Sequence, residues 1–174
     1  MEDNIELFWR NLKDNLEHAR HHETMRTSTT NIVVTLSGAA FAIIGYDKLI
    51  CSADIPLLLF VAVLGIYGAI FSAKETERAS LHYIRAQEFR RAIDRAKPDV
   101  DFLSIRNAAD EKHWKKYPRL VRLELQSLWV GIHVGITVLA LILALTWAFS
   151  PPQACAAAQP FVAGDLAHKA APVP

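Results

Sequence analysis

Residues 55–73 read IPLLLFVAVLGIYGAIFSA and contain no Asp, Glu, Lys or Arg. A helix rises about 1.5 Å per residue and the hydrocarbon core of a bilayer is about 30 Å thick, so about 20 residues are needed to cross it. These 19 residues therefore predict a transmembrane helix.

Two further windows without charged residues lie on either side of this stretch. Residues 125–150 include the apolar run WVGIHVGITVLALILALTWAF, and residues 27–46 hold a shorter apolar run. Residues 27–46 reach the length of a span only if Thr27–Asn31 are included. Thr and Ser are tolerated in a transmembrane helix because their hydroxyls can donate to a backbone carbonyl one turn earlier. The sequence predicts an all-α integral membrane protein with three transmembrane helices, the first two forming a hairpin over residues 27–73.

The segments between the spans predict the remaining organisation. Apolar residues recur at intervals of three or four near the N-terminus: Ile5, Phe8, Leu12 and Leu16. This pattern predicts an amphipathic helix in residues 1–26 that continues into the first span. Residues 74–124 carry most of the charges and predict a helical module. Residues 151–174, rich in Ala and Pro, predict a disordered tail.

Orientation follows from the Lys and Arg residues near the spans. Four precede the first span, Lys48 is alone in the hairpin loop, thirteen lie in residues 74–124, and Lys169 is alone in the tail. Positive residues concentrate on the cytoplasmic side of membrane proteins. We expect a multi-pass protein of a bacterial inner membrane, with the N-terminus and the module in the cytoplasm and the C-terminus in the periplasm.

The two cysteines, Cys51 and Cys155, both fall on the predicted outer side. An oxidising periplasm would allow a disulfide between them. Because cysteine counting does not fix pairing, two unrelated cysteines near the membrane surface are the alternative.

Three histidines, His18, His21 and His22, precede the first span. Their spacing could bring two imidazoles together on one helical face. A helical wheel places all three opposite the apolar face, and a closed zinc site needs about four ligands. We therefore expect no metal site, and interpret the histidines as a hydrated cytoplasmic collar of the first span.

The sequence lacks the common motifs of catalysis, such as a Gly-rich phosphate loop, CxxC or GxSxG. Arg106 and His113, with six residues between them, resemble the Arg-Asn…His signature of HEPN-type ribonucleases, in which the His would shuttle a proton. The surrounding loop is short for such a domain, and a motif counts only in its expected fold. Neither an enzyme nor a cofactor is expected.

The net charge of +1 gives no case for nucleic-acid binding.

Two stripes of small and polar residues follow a helical spacing of three and four. The first-span stripe consists of Ser28, Asn31, Thr35, Gly38, Ala42 and Gly45. The second-span stripe consists of Ala62, Gly65, Ala69 and Ser72. Small residues let helices approach closely in lipid. Two interpretations stay open: a tight hairpin within one chain, or a homo-oligomer in which the first-span stripe lines a water path.

His133 lies within the third span, between Gly131 and Gly135. An ionisable residue at that depth is a candidate functional group. The alternative, which we favour, is a neutral histidine near the inner interface that is hydrogen-bonded to a neighbouring helix.

The layout of the N-terminal half resembles a known family. A Trp-bearing amphipathic helix, the segment RHHETMRT, two close spans and the segment ERASLHYIRAQEFRRA resemble bacterial SLATT proteins over about residues 5–97. The resemblance implies a pore-forming, membrane-disrupting effector of an anti-phage or nucleotide-signalling system that acts as a homo-oligomer in the bilayer. The third span and the tail depart from the two-span plan of that family, and no catalytic residues are implied.

Two other functions stay open. The chain could be a passive anchor or scaffold that binds a cytoplasmic protein through residues 74–124. It could also be a membrane-tethered ribonuclease that uses Arg106 and His113.

Overall fold

The computed structural model describes residues 2–46, 50–99, 101–120 and 125–149. They form four α-helices: α1 (Glu2–Tyr46), α2 (Ile55–Ala96), α3 (Phe102–Lys116) and α4 (Leu125–Phe149). A 3₁₀ turn at Ser52–Asp54 precedes α2. No strand occurs in these residues, in agreement with the predicted all-α class.

Three of the helices, α1, α2 and α4, are long and apolar enough to cross a membrane. Large apolar side chains cover their outward faces: Ile43, Val63 and Ile70 are 65%, 65% and 67% exposed. A continuous apolar surface of this kind is rare on soluble monomers and fits a lipid environment. We call residues 27–46 of α1, 55–73 of α2 and all of α4 the apolar half. The rest of α1 and α2, with α3, is the polar half.

Both long helices run without a break from one half into the other. Pro56 lies in the first turn of α2, where its missing N–H costs no helical hydrogen bond. The helix ends at Ala96 because Pro98 disfavours a helical conformation of the preceding residue. Asp101 then starts α3 from a left-handed conformation (φ 43°), and its carboxylate accepts a bond from the Ser104 amide at 3.2 Å.

The contact between α1 and α2 follows a seven-residue repeat over most of their length. Buried residues of α1 fall into two series: Leu12, Ala19, Val33 and Ala40, and Thr30, Ser37 and Ile44. Buried positions of α2 also include a series with this repeat, of which Gly65 lies against α4: Leu58, Gly65, Ser72, Ala79, Ala86 and Ile93. A repeat of 3.5 residues per turn keeps one face on the partner helix, as in a coiled coil. The two helices therefore pack as one long antiparallel pair.

Helix α2 lies between α1 and α4 and packs along both of them. Helices α1 and α4 contact each other at few places. The core of the apolar half is built from Ala40, Val61, Ala62 and Ala140. The core of the polar half is built from Leu12, Ala86 and Ile93, flanked by Phe8 and Phe89. Helix α3 contributes no buried residue.

Candidate functional site

Polar side chains form a column along the helix contacts, from the polar half into the apolar half. This polar column consists of Asn15, His18, His22, Arg26 and Thr30 of α1, Glu75, Thr76 and His82 of α2, and Trp129 and His133 of α4. Polar groups at helix contacts require partners, because burying them unpaired is costly. The partners define three layers.

The first layer is a stack of imidazoles. The ring of His82 lies 5.1 Å from that of His18 and 5.5 Å from that of His22, with interplanar angles of 25° and 21°. His82 Nδ1 lies 3.1 Å from the amide oxygen of Asn15. Since this oxygen can only accept, Nδ1 is the donor. The stack therefore joins the two long helices in the polar half.

A carboxylate lies beside this stack. His22 Nδ1 lies 2.7 Å from Glu75 Oε2, and the two side chains are 15% and 10% exposed. The expectation that all three histidines face water is therefore wrong for His22. His18 and His21 are exposed, although His18 is in the stack and His21 packs edge-on against His22.

The second layer is centred on Arg26, at the boundary between the two halves. Its Nη1 donates to Thr76 Oγ1 at 3.0 Å, and its guanidinium carbon lies 5.2 Å from the ring centroid of Trp129. This cation–π contact connects α1 to α4. Arg26 Nε and Trp129 Nε1 are buried and make no hydrogen bond within the described part of the chain.

The third layer lies in the apolar half and joins Thr30 to His133. The Thr30 hydroxyl donates to the Arg26 carbonyl at 3.0 Å and lies 3.1 Å from His133 Nε2. A hydroxyl has one proton, so His133 Nε2 is the donor in the second bond. The other ring nitrogen, Nδ1, is buried without a hydrogen-bond partner among the described residues. His133 is thus bonded to a neighbouring helix, as the favoured interpretation expected.

Burial is the main cause of the pKa shifts of two titratable groups of the polar half. Burial lowers the pKa of His82, and the neighbouring His18, His22 and Arg85 lower it further. Burial also raises the pKa of Tyr83, whose hydroxyl donates to Glu23 at 3.0 Å. At neutral pH, His82 is therefore neutral and can stack closely on its neighbours.

The column connects α1, α2 and α4 and can fix their register. Within residues 2–46, 50–99, 101–120 and 125–149, no three His, Cys, Asp or Glu side chains are arranged to hold a metal ion.

The first-span stripe lies outside this column, on the free face of α1. All its members are exposed: Ser28, Asn31, Thr35, Gly38, Ala42 and Gly45. A methyl group added to Gly38 or Gly45 would meet no atom within 4 Å. The stripe is thus not the face on which α1 packs within the chain, and its role between copies stays a prediction.

The second-span stripe lies at the helix contacts. Ala62, Gly65 and Ser72 are buried and Ala69 is partly buried. A Cβ at Gly65 would approach the His133 carbonyl to 3.0 Å and collide with the Thr137 hydroxyl. Nearby, a Cβ at Gly68 would overlap the His133 ring. These glycines let α2 and α4 approach closely.

The other predicted residues lie apart from the column. Cys51 precedes the 3₁₀ turn and its amide donates to Asp54 Oδ2 at 2.7 Å. Cys155 lies outside the described residues, so the disulfide stays a prediction. Arg106 and His113 are both on α3, where Arg106 pairs with Asp110 at 3.4 Å and His113 packs on Tyr117.

Sequence reasoning missed the column because it placed all three histidines opposite the apolar face and did not follow the face of Leu12 towards Arg26. The seven-residue repeat that starts at Leu12 and Ala19 continues at Arg26 and Val33. That register, followed through the first span, is the signal that would have found the face.

Comparison with protein-family models, with curated proteins and with solved structures finds no match.

Proposed function

We propose that the chain is an oligomeric protein of a bacterial inner membrane and acts as an effector that makes the membrane permeable. Its copies associate through the first-span stripe, and the resemblance of its N-terminal half to SLATT-type proteins implies such a homo-oligomer. The polar half lies in the cytoplasm and the C-terminus in the periplasm, as the distribution of Lys and Arg predicts.

The observation that carries the proposal is the exposure of the first-span stripe. Asn31 and Thr35 are exposed within the apolar half, where the surrounding outward side chains are large and apolar. Polar groups that face hydrocarbon are unfavourable, so a second protein surface or water is their expected neighbour. Because Gly38 and Gly45 have no neighbour within 4 Å of an added Cβ, another helix can approach closely there.

An assembly around this stripe would bring the polar residues of several copies onto one surface. Ser28, Asn31 and Thr35 lie on the side of the stripe towards the polar half, and Gly38, Ala42 and Gly45 follow. Hydroxyl and amide groups can bind water without a fixed charge in the membrane. The lining would therefore favour a hydrated, weakly selective path.

Induced expression in bacteria tests this function directly. We expect loss of membrane potential and entry of a membrane-impermeant dye. The variant Asn31→Leu should reduce dye entry while leaving the crosslinked oligomer intact, because it removes an amide and retains the packing surface. The matched control is Val34→Leu, an exposed position of the same helix beside the stripe. Full membrane potential with inserted wild-type protein would exclude the proposed activity.

A scaffold function is the second candidate, and a groove in the polar half favours it. The groove has a volume of about 650 Å³ and is lined by Ile5, Trp9, Leu12, Phe102 and Leu103, among others. Trp9 is 58% exposed, a feature of many protein contacts. Harmless expression together with a co-purifying partner that is lost in Trp9→Glu would favour this function over the first.

A further inference from the structure

The stack of His18, His82 and His22 joins two helices through imidazole rings, each of which can bind a proton. Histidine has an ordinary pKa of about 6.5. Its neutral rings can stack at the observed centroid distances of 5.1 and 5.5 Å. Protonated rings at the same distances repel each other. The number of protons in the stack therefore affects the contact between the polar halves of α1 and α2.

The surroundings can balance one positive charge but not two. Glu75 bonds His22 at 2.7 Å and is 8% exposed, so a proton on His22 has a carboxylate partner. The groups that face His82 are Asn15, His18 and His22 from α1 and Arg85 from its own helix. None of them is an acid. A second proton, on His82, thus meets only neutral or positive neighbours.

The direction of the pH effect follows from linkage. Burial first, and then His18, His22 and Arg85, lower the pKa of His82 in the packed pair. The separated helices therefore bind this proton more readily than the packed helices do. Packing is favoured above the ordinary histidine pKa of 6.5 and is weakened as pH falls through and below that value.

We propose that the His18–His82–His22 stack is an acid-sensitive clasp, which keeps the polar halves of α1 and α2 together near neutral pH and releases them when a second proton enters the stack. Release exposes the apolar faces around Leu12, Ala86 and Ile93, which are buried in the closed pair. The clasp is expected to open on acidification whether or not the chain permeabilises membranes, so this inference does not depend on the proposed function.

Hydrogen exchange of the full chain in detergent micelles, at pH 7.5 and pH 5.5, tests the clasp. Rates are converted to protection factors so that the intrinsic pH dependence of exchange is removed. We expect several-fold lower protection at pH 5.5 in residues 79–93. Residues 57–66, in the apolar half, serve as the internal reference and should keep their protection. Equal protection factors of residues 79–93 at the two pH values would overturn the proposal. An equal loss of protection in residues 79–93 and in residues 57–66 would also overturn it.

Variants identify the titrating group. His82→Phe keeps an aromatic ring and cannot be protonated, so residues 79–93 should stay protected at pH 5.5. His113→Phe, an exposed histidine on α3, is the matched control and should behave like the wild type. Glu75→Gln removes the balancing carboxylate and should move release to higher pH, a result that does not depend on the folding of the His82 variant. An unchanged pH dependence in either His82→Phe or Glu75→Gln would contradict the clasp.

Discussion

The first-span stripe and the second-span stripe have the same spacing and the same kind of residues, yet one is exposed and the other is buried. Around Gly65 of the second stripe, α4 comes so close that a Cβ would lie 3.0 Å from a backbone carbonyl. A Cβ added to Gly38 of the first stripe would meet no atom of another helix within 4 Å. The spacing of small residues thus identifies a helix face that another helix can approach closely. Whether a helix of the same chain packs on that face depends on the position of the helix in the bundle.

The difference arises because α2 is the middle helix. It has a neighbour on two sides, so small residues on several of its faces are used within the chain. Helix α1 lies at the edge and has one extensive contact, for which it uses the face of Thr30, Val33 and Ser37. Its opposite face, which carries the first-span stripe, is left for lipid, water or another copy.

Among substitutions that distinguish the two stripes, Gly65→Leu is expected to have the largest effect on stability. The new side chain would collide with Thr137 and approach backbone atoms of α4 that cannot rotate away. Overpacking of this kind costs about 1–3 kcal/mol of unfolding free energy. Unfolding in mixed detergent micelles measures it. Gly135→Leu, on the open face of α4, is the control and should be nearly neutral. Equal stability of the two variants would mean that α2 and α4 do not pack as described.

A smaller and different effect is expected for Gly38→Leu. The chain should unfold as the wild type does, because the added atoms meet no neighbour. Association between copies should weaken by about 0.6–2 kcal/mol, the range of single contacts between helices in membranes. Crosslinking at graded protein-to-lipid ratios measures it. Ala39→Leu, exposed next to the stripe, controls for bulk alone. If both variants assemble like the wild type, the first-span stripe is a lipid-facing surface.

The smallest effect is expected for Thr30→Val. The change removes the hydroxyl that meets His133 Nε2 at 3.1 Å and keeps the shape of the side chain. Hydrogen bonds of this type contribute about 0.6 kcal/mol on average and up to about 1.7 kcal/mol. The matched control is Thr35→Val, the same substitution on the exposed face of the same helix. A loss of stability at residue 35 that equals the loss at residue 30 would contradict the assignment of the two faces.

Much of the fold was predictable from the sequence. The charge-free windows predicted the three apolar helices, and the apolar repeat of residues 1–26 predicted a helix that continues into the first span. The end of α2 before Pro98 follows from an equally local signal. These features depend on local composition and on single residues, so no knowledge of neighbouring helices was needed.

Within the first span alone, the arrangement of the faces was not predictable, because a buried and an exposed series of small polar residues both follow a seven-residue repeat. Thr30 and Ser37 are as small and polar as Ser28 and Thr35, so only the register that continues from Leu12 and Ala19 distinguishes the two pairs. Glu75 gives His22 a partner from another helix, and this long-range contact has no trace in the sequence around His22. For His133 the prediction succeeded because a neutral imidazole in an apolar helix has few favourable states other than a bond to a neighbour.

The continuity of α1 and α2 has a mechanical consequence. No Gly or Pro occurs between Glu2 and Ser37 of α1, or between Ala69 and Ala96 of α2, so neither helix has the sequence of a hinge where the halves meet. Each helix is a stiff rod of about 65 Å. A rod that tilts by about 5° about its midpoint moves its far end by about 3 Å, roughly half the pitch of a helix. The His18 and His22 side of the histidine stack and the first-span stripe thus belong to one uninterrupted helix, α1, so we expect a tilt of its polar half to displace the stripe as well.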